Sequence, residues 1–254
     1  MNKLLSIWAA TAAGAILVLG ARQAVSGIAG TVHDLAQRAD TTEEICVFCH
    51  TPHGAVTQAS APLWNKGLRA GSYLPSTGTV GAAVTPGSVT VACLSCHDGA
   101  QATDVLINAP GSGGYTPPPG AQLEPDRFEP LTGNDVICQP NTSCEGHHPI
   151  SVQYGGGGAL ASDPDGPFTG TLGLPGFPAP VKVTTNNGLA IWWVDSIVGT
   201  TGTREKTDMI LYTRTDLGTP QPFVECGSCH DPHTDEFNRF LRNDDQICST
   251  CHVL

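Results

Sequence analysis

Eight of the ten cysteines form four Cys-x-x-Cys pairs, and a histidine follows each pair at once. They are Cys46, Cys49 and His50; Cys93, Cys96 and His97; Cys226, Cys229 and His230; and Cys248, Cys251 and His252. Two thiols at this spacing form thioethers to the two vinyl groups of one porphyrin. The adjoining imidazole then lies beneath the ring, where it binds the iron. A lone Cys-x-x-Cys would also suit half a zinc site or a redox dithiol. Zinc does not require a histidine after every second cysteine, and dithiols exported from the cell tend to oxidise. The chemistry these residues predict is four covalently bound haem c groups.

The histidine count predicts the kind of haem. Nine His are present, and His33, His53, His147, His148 and His233 remain after the four motif histidines. Only two Met are present, one of them Met1, so His/Met ligation serves at most one iron. Four bis-His irons are expected, with low potentials and no open coordination position. That suits an electron relay and not an enzyme. His147 and His148 are neighbours and do not easily serve two irons; His148, before Pro149 and the strand-like Ile150-Ser151-Val152, is the better placed. Cys49-His50-Thr51-Pro52-His53 recurs as Cys229-His230-Asp231-Pro232-His233. A histidine three residues after the motif histidine starts on the same side of the ring and does not reach the opposite face. His53 and His233 must therefore serve a haem other than that of their own segment. The shortest assignment gives His233 to the Cys248/Cys251 haem and His53 to the Cys93/Cys96 haem, leaving His33 and His148 for the other two.

The elements that position these residues are expected to be slight. Gly and Pro make up 50 of 254 residues and large apolar residues are sparse, so porphyrin would fill much of the interior. The fold class expected is mostly coil, with short helices at the motifs and one small β-hairpin: a haem-cored cytochrome with little regular structure. Residues 25–254 read as a single tetrahaem domain with a loop- and β-rich insert over about 111–225. The hairpin runs from Lys182-Val183-Thr184-Thr185 through Asn186-Asn187-Gly188 to Leu189–Val194. Met209–Thr213 is a further candidate strand. Alternation sends Trp192 and Trp193 to opposite faces, one inward and one towards solvent or a neighbour. Pro62-Leu63-Trp64 is a candidate packing anchor. Cys138 and Cys144 stand outside the motifs and are expected to pair as a small disulfide, with free thiols the alternative.

Residues 1–24 read as a secretory signal peptide, with Lys3 ahead of an apolar run from Leu4 to Leu19 and cleavage after Ala24 or as late as Ala29. The rest carries ten basic residues against 23 acidic ones, a balance of −13. That argues against nucleic acid or anionic lipid as a partner. No second long apolar run predicts a membrane span in the mature chain. Export to the periplasm or cell surface is the expected localisation.

The stretch Cys226 to His252, with Phe240-Leu241-Arg242 and Ile247-Cys248, resembles the doubled CxxCH motif of multihaem cytochromes. His33-Asp34-Leu35, Ile45 to Ala55, Pro62-Leu63-Trp64-Asn65, Cys93 to Gly99 and His148-Pro149-Ile150-Ser151 extend the likeness to OmcE-type tetrahaem cytochromes, which polymerise into extracellular conductive filaments. The resemblance implies bis-His iron throughout and distal-ligand roles for His33, His53, His148 and His233. It also favours His148 over His147. The partners implied are redox proteins and further copies of the chain. His33, close to the mature N-terminus, is placed to ligate a neighbouring copy. A monomeric periplasmic shuttle, or a subunit of a membrane redox complex, shares this haem chemistry. A multihaem reductase would need an open or Lys-ligated iron, and no Cys-x-x-Cys-Lys occurs.

Overall fold

The computed structural model describes residues 27–39, 44–57, 60–68, 73–76, 82–101, 105–110, 130–142, 144, 146–156, 176–185, 188, 190–244 and 246–253. The expected signal peptide lies outside them. The helices are short: α1 (Ala36–Ala39), α2 (Ser88–His97), α3 (Cys226–Cys229) and α4 (Ile247–Cys251). Among the described residues no helix is long and apolar enough to cross a membrane.

The expectation of coil around one small hairpin is overturned. Strands β1 (Val152–Gln153), β2 (Val181–Thr184), β3 (Ala190–Val194), β4 (Met209–Arg214) and β5 (Gln221–Val224) form one sheet in the order β1-β5-β4-β3-β2, antiparallel throughout. The β2–β3 hairpin is present, with Lys182 opposite Trp192 and Lys182 Nζ 4.9 Å from the centre of that indole. Gly188 takes the left-handed conformation of its turn (φ +73°), which a side chain would disfavour. Asn186 and Asn187 of that turn lie outside the described residues. The strand-like Ile150-Ser151-Val152 leads into β1, and β5 was missing from the sequence reading. A run of four residues containing Pro222 carries almost no strand signal of its own. It becomes a strand because Phe223 finds Tyr212 on one side and Gln153 on the other. Pro222 falls where β1 has already ended, an edge position that tolerates its missing N–H.

The sheet also builds a side-chain core where a haem-filled interior was expected. Val152, Tyr154, Trp192, Val194, Met209, Leu211 and Val224 form one buried cluster, and Cys229, Ile247 and Cys251 pack against it. Trp193 is buried as well as Trp192, against the expectation that one would face outward; its Nε1 donates to Asp195 Oδ1 at 2.7 Å. A second cluster gathers Tyr73, Leu94, Cys138, Cys144 and Ile150, with Cys226 against it. Cys138 and Cys144 are disulfide-bonded, as expected.

One buried carboxylate joins the sheet to the motifs. Glu225, at the end of β5 and capping α3, accepts from Thr90 of α2, from Ser151 Oγ at 2.8 Å and from Arg214 of β4 at 3.0 Å. Burial raises its proton affinity, and these three donors oppose that rise. Thr90 Oγ1 in turn receives the backbone N–H of Cys226 at 3.2 Å.

Candidate haem sites

Each motif lies on a single helical turn. Cysteines three apart then share a face, and the histidine four after the first cysteine joins them. The backbone N–H of His50, His230 and His252 donates to the carbonyl of Cys46, Cys226 and Cys248 at 2.8, 3.1 and 2.9 Å. Cys93, Cys96 and His97 end α2 in the same arrangement.

The imidazoles are oriented by backbone oxygen. Nδ1 of His50 donates to Pro62 O at 2.6 Å, that of His97 to Asp135 O at 2.8 Å and that of His230 to Arg239 O at 2.8 Å. A carbonyl only accepts, so the proton sits on Nδ1 and the lone pair on Nε2 is left for a metal. The same logic fixes His148, whose Nδ1 donates to Pro149 O at 3.0 Å. Pro62-Leu63-Trp64 thus acts as an anchor for His50 itself: Thr51 N bonds Leu63 O, Asn65 N bonds Cys49 O, and the Trp64 indole stands edge-on to the imidazole at 6.1 Å.

Imidazoles from distant segments then meet in pairs. A metal–imidazole bond is about 2.0 Å, and the ring centre lies roughly 1.1 Å further on. Two imidazoles on opposite faces of one iron therefore have ring centres about 6.2 Å apart. His33 and His97 are 6.3 Å apart, His50 and His233 6.1 Å, and His148 and His252 6.3 Å. Rotation about the axis is free in such a pair, and the interplanar angles of 73°, 14° and 61° all comply. A porphyrin iron takes two protein ligands, and pairs are what these residues supply. Among the described residues no group of three or more His, Cys, Asp or Glu gathers as a bare-ion site.

The pairing departs from the shortest assignment along the sequence. His233 stands opposite His50, not His252, and His33 takes the place beside His97 that was expected for His53. His53 is exposed, as is His147. Among the described residues no imidazole stands across from His230 at ligand spacing.

Electrostatics suit neutral imidazoles, and burial raises most of the motif thiols, while the hydrogen bond with Cys93 lowers Cys226. Burial, followed by the neighbouring His97, lowers His33 to about 4; burial also lowers His230 and His252. Burial raises Cys49 and Cys251 to about 12 and Cys229 to about 11. Redox-active dithiols show the opposite shift. Cys93 hydrogen-bonds Cys226, so the second and third motifs touch through their first cysteines.

Several positioning groups were not foreseen from sequence. Asp34 Oδ2 accepts from Gly30 N and Gln37 Nε2, both at 2.9 Å, closing the turn that presents His33. Phe240 stacks on His33 at 4.2 Å, and Phe177 lies 4.7 Å from His252. Asp231 Oδ1 lies 3.2 Å from Nδ1 of His233. Asp34 and Asp231 sit beside their histidines in sequence, whereas only the tertiary structure brings Phe240 to His33 and Phe177 to His252.

No curated protein matches the chain. Residues 221–253 match the family described as the doubled CXXCH motif, which carries the last two motifs, α3 and α4, and supports a multihaem c-type cytochrome that binds haem covalently and transfers electrons.

Proposed function

We propose that the chain is an exported electron conduit that holds four haem c groups, every iron bis-His, and assembles with further copies of itself into an extracellular filament. The observation that carries this reading is the set of three imidazole pairs, each joining a motif histidine to one remote in sequence at 6.1 to 6.3 Å. Bound haem c supplies a one-electron Fe(III)/Fe(II) couple. His33 with His97, His50 with His233 and His148 with His252 would each hold one haem iron between two imidazoles and leave no room there for substrate, while the Cys93–Cys226 contact holds neighbouring motifs together. Such a chain transforms no substrate; its partners are redox proteins and its own copies.

Assembly is supported by what is left over. Among the described residues no imidazole stands across from His230 at the spacing of the other pairs, and His53 stands exposed on a backbone pinned by Asn108 Nδ2, which donates to His53 O at 2.7 Å. His53 of one copy completing the haem on Cys226/Cys229 of the next would couple polymerisation to coordination. The sequence pointed to His33 for this role; the 6.3 Å between the His33 and His97 rings favours His53 instead. His53→Ala should leave three low-spin haems and one incompletely ligated, and should abolish filaments in negative-stain micrographs. Filaments of H53A with four low-spin haems would overturn the assembly, and native material that stays monomeric would make the protein a periplasmic shuttle.

A further inference from the structure

The two His-x-Pro-His repeats differ in one residue between their histidines, Thr51 in the first and Asp231 in the second. Thr51 turns its hydroxyl to the backbone, donating to His53 O at 3.1 Å. Asp231 does something else. Its Oδ1 accepts the backbone N–H of His233 at 3.1 Å and lies 3.2 Å from the ring Nδ1 of the same residue. Its Oδ2 lies 3.7 Å from the guanidinium of Arg242, which is itself fixed by donation from Nε to Gly227 O at 2.9 Å and from Nη1 to Lys206 O at 3.4 Å. The Asp231 backbone N–H is tied to Phe240 O at 2.8 Å. The carboxylate is therefore held from three sides with one oxygen on the imidazole.

An Nδ1–H donated to a carboxylate pushes electron density towards Nε2, making the imidazole a stronger donor to metal. A stronger donor stabilises Fe(III) over Fe(II) and lowers the potential. Because His233 faces His50, the effect falls on the haem attached to Cys46 and Cys49, not on the haem of Asp231's own motif. We infer that Asp231 is a redox-tuning residue acting through His233, holding the Cys46/Cys49 haem at a lower potential than a neutral residue at that position would. Arg242 moderates the effect by sharing the carboxylate's charge. This rests on the bis-His reading of the preceding subsection.

The test is a spectroelectrochemical titration of haem-loaded Asp231→Thr and Asp231→Asn. Threonine occupies the same position in the first repeat, so the turn accommodates it. The midpoint of one of the four redox components should rise by ~59 mV, a tenfold fall in its oxidised-to-reduced ratio at a fixed potential, while the other three stay. An unchanged titration, or an equal shift of all four components, would overturn the inference. His233→Ala separates this from the ligation reading. It should convert one haem from low to high spin; if all four remained low-spin, the ligation itself would be at fault.

Discussion

The segment from Ile45 to Asn65 and the segment from Glu225 to Arg242 build one scaffold twice from different residues. In both, a returning strand pairs with the motif: Thr51 N to Leu63 O and Asn65 N to Cys49 O in the first, Asp231 N to Phe240 O and Arg242 N to Cys229 O in the second. In both, the carbonyl that orients the motif imidazole comes from the start of that strand, Pro62 or Arg239. Side chains follow suit. Asn65 Nδ2 donates to Val47 O and Arg242 Nε to Gly227 O, the carbonyl after the first cysteine in each case. Leu63 and Phe240 occupy the same place and share a left-handed backbone, with φ of +55° and +58°.

The difference lies in what each scaffold docks against. Ile45 precedes the first motif and joins an apolar cluster of Leu35, Ala36 and Phe48. Glu225 precedes the last-but-one motif and enters the buried polar network of Thr90, Ser151 and Arg214. The lesson is that the backbone hydrogen bonds define the Cys-x-x-Cys-His unit, while the residue ahead of the first cysteine decides its neighbours. The second repeat is integrated into the sheet; the first sits on a small apolar patch and keeps His53 outward.

Breaking the polar dock should have the largest effect. Glu225→Ala takes the shared acceptor from the Thr90 and Ser151 hydroxyls and from one end of the Arg214 guanidinium, which keeps Asp216, and is expected to cost about 3–5 kcal/mol in chemical denaturation, through loss of the second repeat's attachment to the sheet. Next comes the fully buried Asn65, which also bonds Asn108 O at 2.8 Å and Asn108 N at 2.9 Å. Asn65→Ala strands these groups and should cost about 2–3 kcal/mol. If both variants lost the same amount, the contrast between an integrated and a perched repeat would fail. The smallest effect sharpens the comparison by its sign. Leu63 is 53% exposed, so Leu63→Gly loses little packing while relieving a left-handed leucine, and should stabilise by about 1 kcal/mol. Phe240→Gly relieves the same backbone but forfeits the stack on His33, and should instead lower the thermal midpoint.

What the sequence made legible was local. Cys-x-x-Cys-His is a single turn, the β2–β3 hairpin is one turn between two β-rich runs, and the Cys138–Cys144 link spans a short loop. What it hid depends on distant chain. His233 lies much nearer His252 than His50 in sequence, and that proximity suggested His252 as its partner; the fold instead brings its ring to 6.1 Å from that of His50. β5 was hidden for the same reason, since its pairing with β4 and β1 is stronger evidence of strand than its own composition. The core was underestimated because Trp192, Tyr154, Met209 and Phe223 come from segments that look sparse singly and are dense together.

The three imidazole pairs also interleave. The arc from His33 to His97 overlaps that from His50 to His233, which overlaps that from His148 to His252. Clasps that cross in this way leave no place where the polypeptide can be cut into two self-sufficient halves. A fragment ending before β1 would keep two attachment motifs yet have only one of their two clasps closed. Miniaturising this protein therefore means redesigning its wiring, whereas lengthening the loops between clasps leaves the wiring intact.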